Sequence, residues 1–159
     1  ELQNYEACVE DTSIVIEQGE SDDGAETIHA QSLHHCGRTE ESIEFVKSRL
    51  LHGKYQAEWH CWLGAVYSEM GDYRSADEAL KAATKLNPEI AEAWIHIASL
   101  GFHTGDLSAS KQAIARAIEF NADEPLVVQC QSIIAHQEGR YEDAIRLNSE
   151  LLELSEDDI

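Results

Sequence analysis

A glycine every 34 residues constrains this chain more than any other feature: Gly37, Gly71, Gly105 and Gly139 stand at that interval. A self-similarity of this length is the mark of a supersecondary unit that is repeated and stacked. The same step links Cys8, Ser42, Ala76, Ser110 and Ala144, all small, and it links Ala30, Gly64, Ala98 and Ser132 in a second small column. A third column runs Tyr5, Thr39, Tyr73, Leu107 and Tyr141. Between the glycines, Leu63, Tyr67, Leu80, Leu86, Ile97, Ile114, Ile118 and Phe120 fall at helical spacings, the pattern of amphipathic helices. Each unit therefore reads as two helices that meet at a turn. The glycine ends the first helix in a left-handed conformation that is cheap only without a Cβ. The small columns mark where two helix backbones approach closely.

The best-preserved unit is Ala57 to Pro88, in which Leu63-Gly64, Tyr67, Gly71-Asp72-Tyr73, Ala76, Ala83 and Pro88 keep their places. With Trp94, Gly105-Asp106, Ala117 and Asn121 in the next unit, the pattern resembles the tetratricopeptide repeat family. The resemblance implies an all-α fold, a right-handed α-solenoid of antiparallel helix pairs. Four full repeats are expected at 23–56, 57–90, 91–124 and 125–158, of which the first and last are degenerate. Glu26 and His29 stand where the family has large apolar residues, Arg49 where it has a small one, and Asn148 where it has an apolar one. Residues 1–22 keep the register through Tyr5 and Cys8 and read as the second helix of a truncated repeat, with Cys8 a buried packing residue. A start in mid-repeat, and no capping segment after the fourth repeat, lead us to expect a piece of a longer array.

Charge narrows the function. The formal net charge is -20; residues 1–26 and 150–159 contain acids but no Lys or Arg. Such a surface repels nucleic-acid phosphate and anionic lipid, both of which are held by clustered cations. We expect neither nucleic acid nor membrane as a partner. Cys8, Cys36, Cys61 and Cys130 lie far apart with no C-x-x-C, which reads as free thiols in an intracellular, cytoplasmic setting.

No Gly-rich phosphate loop, G-x-S-x-G or H-E-x-x-H occurs, so no enzyme activity, catalytic residue or cofactor is expected within these residues. In the family the first helix of each repeat lines the concave face. Projected onto this sequence, the resemblance implies a groove of Thr27, Gln31 and His35, then Cys61, Trp62, Ala65 and Glu69, then Ile95, His96, Ser99, Phe102 and His103, then Gln129, Cys130, Ile133 and His136. Trp62 and Phe102 are the anchor types that dominate binding energy, although Trp62 could equally pack between repeats. One family mode clamps a carboxylate-terminated tail with Lys, Arg and Asn; here Thr27, Gln31, Trp62, Glu92 and His96 stand at those places. The clamp is missing, and an apolar or basic peptide is preferred over an acidic one. The histidines read first as polar lining and second as a pH-sensitive groove. No metal site is expected, because His96 and His103 lie about 10 Å apart along a helix.

The leading reading is a non-catalytic scaffold that binds a peptide or helical segment of a protein partner. The alternatives are the substrate-selecting region of a larger glycosyl- or sulfotransferase, and a small acidic secretion chaperone. A homodimer through exposed repeat ends is a further expectation, since an uncapped end bares apolar surface.

Overall fold

The turn glycines decide where the helices stop. In the computed structural model, which describes residues 2–17, 23–51, 55–120, 122 and 124–156, Gly37, Gly71, Gly105 and Gly139 have φ of 80°, 77°, 80° and 75°. A left-handed residue there lets the chain reverse, and the next helix begins within two residues. Among the described residues the elements are nine helices: α1 (Leu2–Glu17), α2 (Asp23–His35), α3 (Thr39–Leu50), α4 (Gln56–Glu69), α5 (Tyr73–Leu86), α6 (Ala91–Thr104), α7 (Leu107–Glu119), α8 (Glu124–Gln137) and α9 (Tyr141–Glu156). Two of the starts carry a side-chain cap: Asp72 accepts from the Ser75 amide at 3.2 Å, and Asp106 from the Ala109 amide at 2.9 Å. Each cap satisfies an amide the helix leaves without a partner.

These turns offer a clean test of backbone conformation. A Cβ at Gly71 would meet nothing within 4 Å, so Gly71→Ala is expected to cost about 1 kcal/mol through the left-handed φ alone. Urea denaturation should show that loss, with Gly71→Asn retaining part of it.

The chain divides into two compact units, Glu1–Tyr55 and Gln56–Ile159. In the first, α1 packs on α2 and α2 on α3. Its core contains Val9, Ala30, Leu33, Ile43 and Val46, and the buried Ser42 hydroxyl donates to the Ala30 carbonyl. The residues that depart from the repeat pattern compensate one another. Glu26 pairs with Arg49 at 3.4 Å, and the Arg49 guanidinium lies 4.7 Å from the centre of the Phe45 ring. His29, buried, stands edge-on to Phe45 and is 2.8 Å from the Thr12 hydroxyl of α1 through Nδ1. That hydroxyl donates its proton to the Cys8 carbonyl at 2.6 Å, so the ring nitrogen is the donor in this contact. Cys8 itself is exposed, contrary to expectation. Val9 and Thr12 form the buried side of α1, and among the described residues only α2 packs against this helix.

His29 makes this unit sensitive to acid. Burial, then the charges of Arg38 and Arg49, lower its pKa below the ordinary 6.5. A base whose folded pKa is depressed takes up its proton more readily when unfolded. The stability that goes with neutral His29 is therefore full above about pH 6.5 and is lost as the pH falls through the folded pKa. Hydrogen-exchange protection factors of the α1 and α2 amides should fall as the pH drops below about 6.5, and the fall should shrink in His29→Gln.

In the second unit the hairpins α4–α5, α6–α7 and α8–α9 follow one another. Two of the buried clusters draw on more than one hairpin. Cys61, Ala76, Leu80 and Ala83 meet Ala93 and Leu100 of the next first helix; Ile95, Ala98, Ala113, Ile114 and Ala117 meet Val127, Cys130 and Ile134. The α8–α9 hairpin also has a cluster of its own, Val128, Ala135, Ala144 and Leu147, whereas stacking completes the other two. Within hairpins the small columns do what their size allows. The Ser110 hydroxyl reaches the Ala98 carbonyl at 2.9 Å, and Ser132 reaches the Ala144 carbonyl at 3.3 Å and Asn148 Oδ1 at 2.7 Å. Asn148, polar where an apolar residue was expected, is matched by that serine. Trp94 donates from Nε1 to the Pro88 carbonyl at 2.8 Å, and Arg116 lies over both Trp94 and Phe120. Among the described residues no helix is long and apolar enough to cross a membrane.

Candidate protein-binding face

In the second unit the first helices of successive hairpins are neighbours, α4 beside α6 and α6 beside α8. This arrangement brings most of the expected groove residues of that unit to one run of helices and removes others from reach. Trp62 and Ala65 on α4, and His96, Ser99 and Phe102 on α6, are half-buried, while Glu69, Gln129, Ile133 and His136 are exposed. On α8, Gln129, Ile133 and His136 share a concavity of about 340 Å³ with Ser132, Gln137, Ala144, Asn148 and Leu151. In the first unit Thr27, Gln31 and His35 are exposed on α2, with the His35 ring 4.9 Å from that of Tyr5.

Three residues assigned to the groove are core instead. Cys61, Ile95 and Cys130 are 4%, 7% and 6% exposed and belong to the clusters between hairpins. The reason is the width of the buried arc. α4 packs on both α5 and α6, and α6 packs on α4, α5, α7 and α8, so α4 alone buries Ala57, Trp59, Cys61, Leu63, Gly64 and Val66. Burial raises the Cys61 thiol pKa to about 12, with the negative charges of Glu92 and Glu58 adding to it, and burial raises that of Cys130 as well. Two further residues are partly committed. Phe102 packs against the α6–α7–α8 core, and His103 lies flat on Tyr73 of α5, rings 5.4 Å apart and 11° from parallel.

The electrostatics of the face follow from which helices carry cations. α2, α4, α6 and α8 contain no Lys or Arg. In residues 56–156 every cation lies on α5, α7 or α9, or at Arg140 in the last turn. Most are tied to acids nearby: Arg74 to Glu78, Lys81 to Asp77, Arg116 to Glu119, and Lys111 and Arg140 to Glu138. Glu58, Glu69 and Glu92 remain exposed on α4 and α6. Hydrogen bonding to His96 holds the Glu92 carboxyl below its usual range, against the opposing pull of burial, so this acid is ionised at neutral pH.

A stack of helical hairpins whose first helices present a mixed apolar and polar face is a helical-repeat array, the architecture of protein-interaction scaffolds. A family model described as tetratricopeptide repeat matches residues 63–125. Over that stretch the chain is similar to the tetratricopeptide repeat family, and over nearly all of its length it has the fold of tetratricopeptide repeat proteins. A tetratricopeptide repeat protein of Thermus thermophilus superposes with a TM-score of 0.78 at 17% identity, covering 96% of this chain and 84% of that one. One from Parabacteroides merdae does so with a TM-score of 0.70 at 16% identity, covering 96% and 67%. The Sol locus transcriptional repressor of Clostridium acetobutylicum is 36% identical over 59 residues, which are 37% of this chain and 19% of that protein.

Proposed function

We propose that the face formed by α4, α6 and α8 binds a segment of a protein partner that carries apolar and basic side chains, and that the chain acts as a non-catalytic scaffold. The observation that carries this reading is the segregation of charge: the first helices hold exposed Glu58, Glu69 and Glu92 and no Lys or Arg. An acidic peptide would find no Lys or Arg there to replace its hydration, whereas a Lys or Arg would meet exposed carboxylates. Trp62 supplies a wide, half-covered ring, and Ile133, 37% exposed, supplies an aliphatic surface two first helices along. Together they suit a peptide whose anchors are spaced along an extended strand or one helix face. The fold match to tetratricopeptide proteins supports a scaffold in general, and the chemistry of the segment is read from this face.

Selection of a random peptide library on the chain tests this reading. The peptides recovered should be enriched in apolar and basic residues. Trp62→Ala and Ile133→Asp should each weaken a selected peptide by about 30-fold or more, the effect of losing a hot-spot anchor. Enrichment of acidic peptides, or unchanged affinity in both variants, would overturn it.

A further inference from the structure

Cys61 of α4 and Glu92 and His96 of α6 bring one donor atom each, Sγ, a carboxylate oxygen and a ring nitrogen, to within 4.8 Å of one another. His96 and His103, on one helix, lie too far apart to share an ion. The convergent set crosses between two helices instead. We propose that Cys61, Glu92 and His96 form a site for a divalent transition metal of borderline softness, Zn²⁺ being the ion this mixed donor set fits best, and that the ion ties α4 to α6.

Thiolate, imidazole and carboxylate are all ordinary zinc ligands, and their combination disfavours the hard cations that want oxygen alone. In a tetrahedral site with bonds of 2.0–2.3 Å, donors stand about 3.3–3.6 Å apart. Glu92 Oε1 and His96 Nε2 are already 3.7 Å apart, on successive turns of one helix. The remaining separations close by about 1 Å through side-chain rotation. Access favours loading too: the Glu92 side chain is 74% exposed and that of His96 30%, so an ion enters from solvent and reaches the buried sulfur last. The same negative charges of Glu92 and Glu58 that disfavour a bare thiolate at Cys61 favour a dication beside it. On loading, the thiol loses its proton to solvent, one Zn–S bond forms, and water occupies the fourth position. Glu92 and His96 also belong to the proposed binding face, but the site requires no partner, so the two readings fail separately.

Cobalt and zinc titrations of the whole chain under reducing conditions decide the matter. One Co²⁺ should bind with a sulfur-to-metal charge-transfer band, and Zn²⁺ should displace it. Above about pH 7 the Zn²⁺ affinity should rise roughly tenfold per pH unit, because loading releases one thiol proton. Cys61→Ala should abolish the band, Glu92→Gln and His96→Gln should each weaken Zn²⁺ about tenfold or more, and Cys130→Ser should change nothing. Zn²⁺ should raise Tm in the native chain and not in Cys61→Ala. If Cys61→Ala does not fold by circular dichroism, the two surface variants decide instead. Absence of the band, its persistence in folded Cys61→Ala, or full Zn²⁺ affinity in both surface variants overturns the site.

Discussion

Leu80→Ala should remove about 2–5 kcal/mol of stability, the range for emptying a buried leucine site that cannot collapse. Leu80 is 0% exposed and sits among Cys61, Ala76, Ala83, Ala93 and Leu100, so its loss loosens the α4–α5 hairpin and that hairpin's contact with α6 together. It also fills a notch. A Cβ built on Gly64 would stand 2.5 Å from Leu80 Cγ and 2.6 Å from its Cδ2, which means the leucine packs directly on the glycine backbone. Gly64→Ala in the native background should therefore cost about 1–3 kcal/mol by overpacking, even though alanine is the better helix former by about 1 kcal/mol. In the Leu80→Ala background that clash has no partner, and the same change should become neutral or stabilising. A double-mutant cycle by urea denaturation should show this strong non-additivity. Additive effects would mean that the notch and the leucine do not form one packing unit.

The 34-residue recurrence made the scaffold legible because it reports on contacts that every hairpin repeats. The four glycines take their left-handed φ, and Ser110 meets Ala98 across the hairpin as the small columns require. What the recurrence could not show is whatever one hairpin does alone. Glu26 with Arg49, His29 with Thr12, and Ser132 with Asn148 are pairs joined at other intervals; Glu26, His29, Arg49 and Asn148 read as departures from the repeat until their partners are beside them. The exposure of the candidate face's residues was half legible for a related reason. Helical projection gives the direction of a side chain but not how much of the helix circumference its neighbours cover. Trp62, His96 and Ile133 stayed at least partly open, while Cys61, Ile95 and Cys130 fell inside the covered arc. The Cys61–Glu92–His96 cluster was invisible for the same cause, since its members are brought together only when α6 stacks on α4.

Gly101→Ala should destabilise the chain by about 1–3 kcal/mol, and the sign is informative because local preference points the other way. Gly101 lies inside α6, where alanine would gain about 1 kcal/mol of helix propensity. Its column holds Leu33, Tyr67 and Ala135 in the other hairpins, so glycine is not a requirement of the repeat. Here, however, a Cβ would meet the Ser110 hydroxyl, the Asp106 carbonyl at 2.8 Å and the Ser110 amide at 3.1 Å. Two of those atoms are backbone and cannot rotate aside. The Asp106 carbonyl and Ser110 amide are themselves bonded to each other at 3.1 Å in the first turn of α7, and the Ser110 hydroxyl is held by the Ala98 carbonyl. Relief therefore requires α6 and α7 to separate at their turn, which opens the Ser110–Ala98 hydrogen bond as well. Hydrogen exchange should report the separation as faster exchange in the first turn of α7 with little change in α4 and α5. A variant as stable as the native chain would show instead that the hairpin yields at this point, and that the close approach of α6 to α7 contributes nothing to holding the array together.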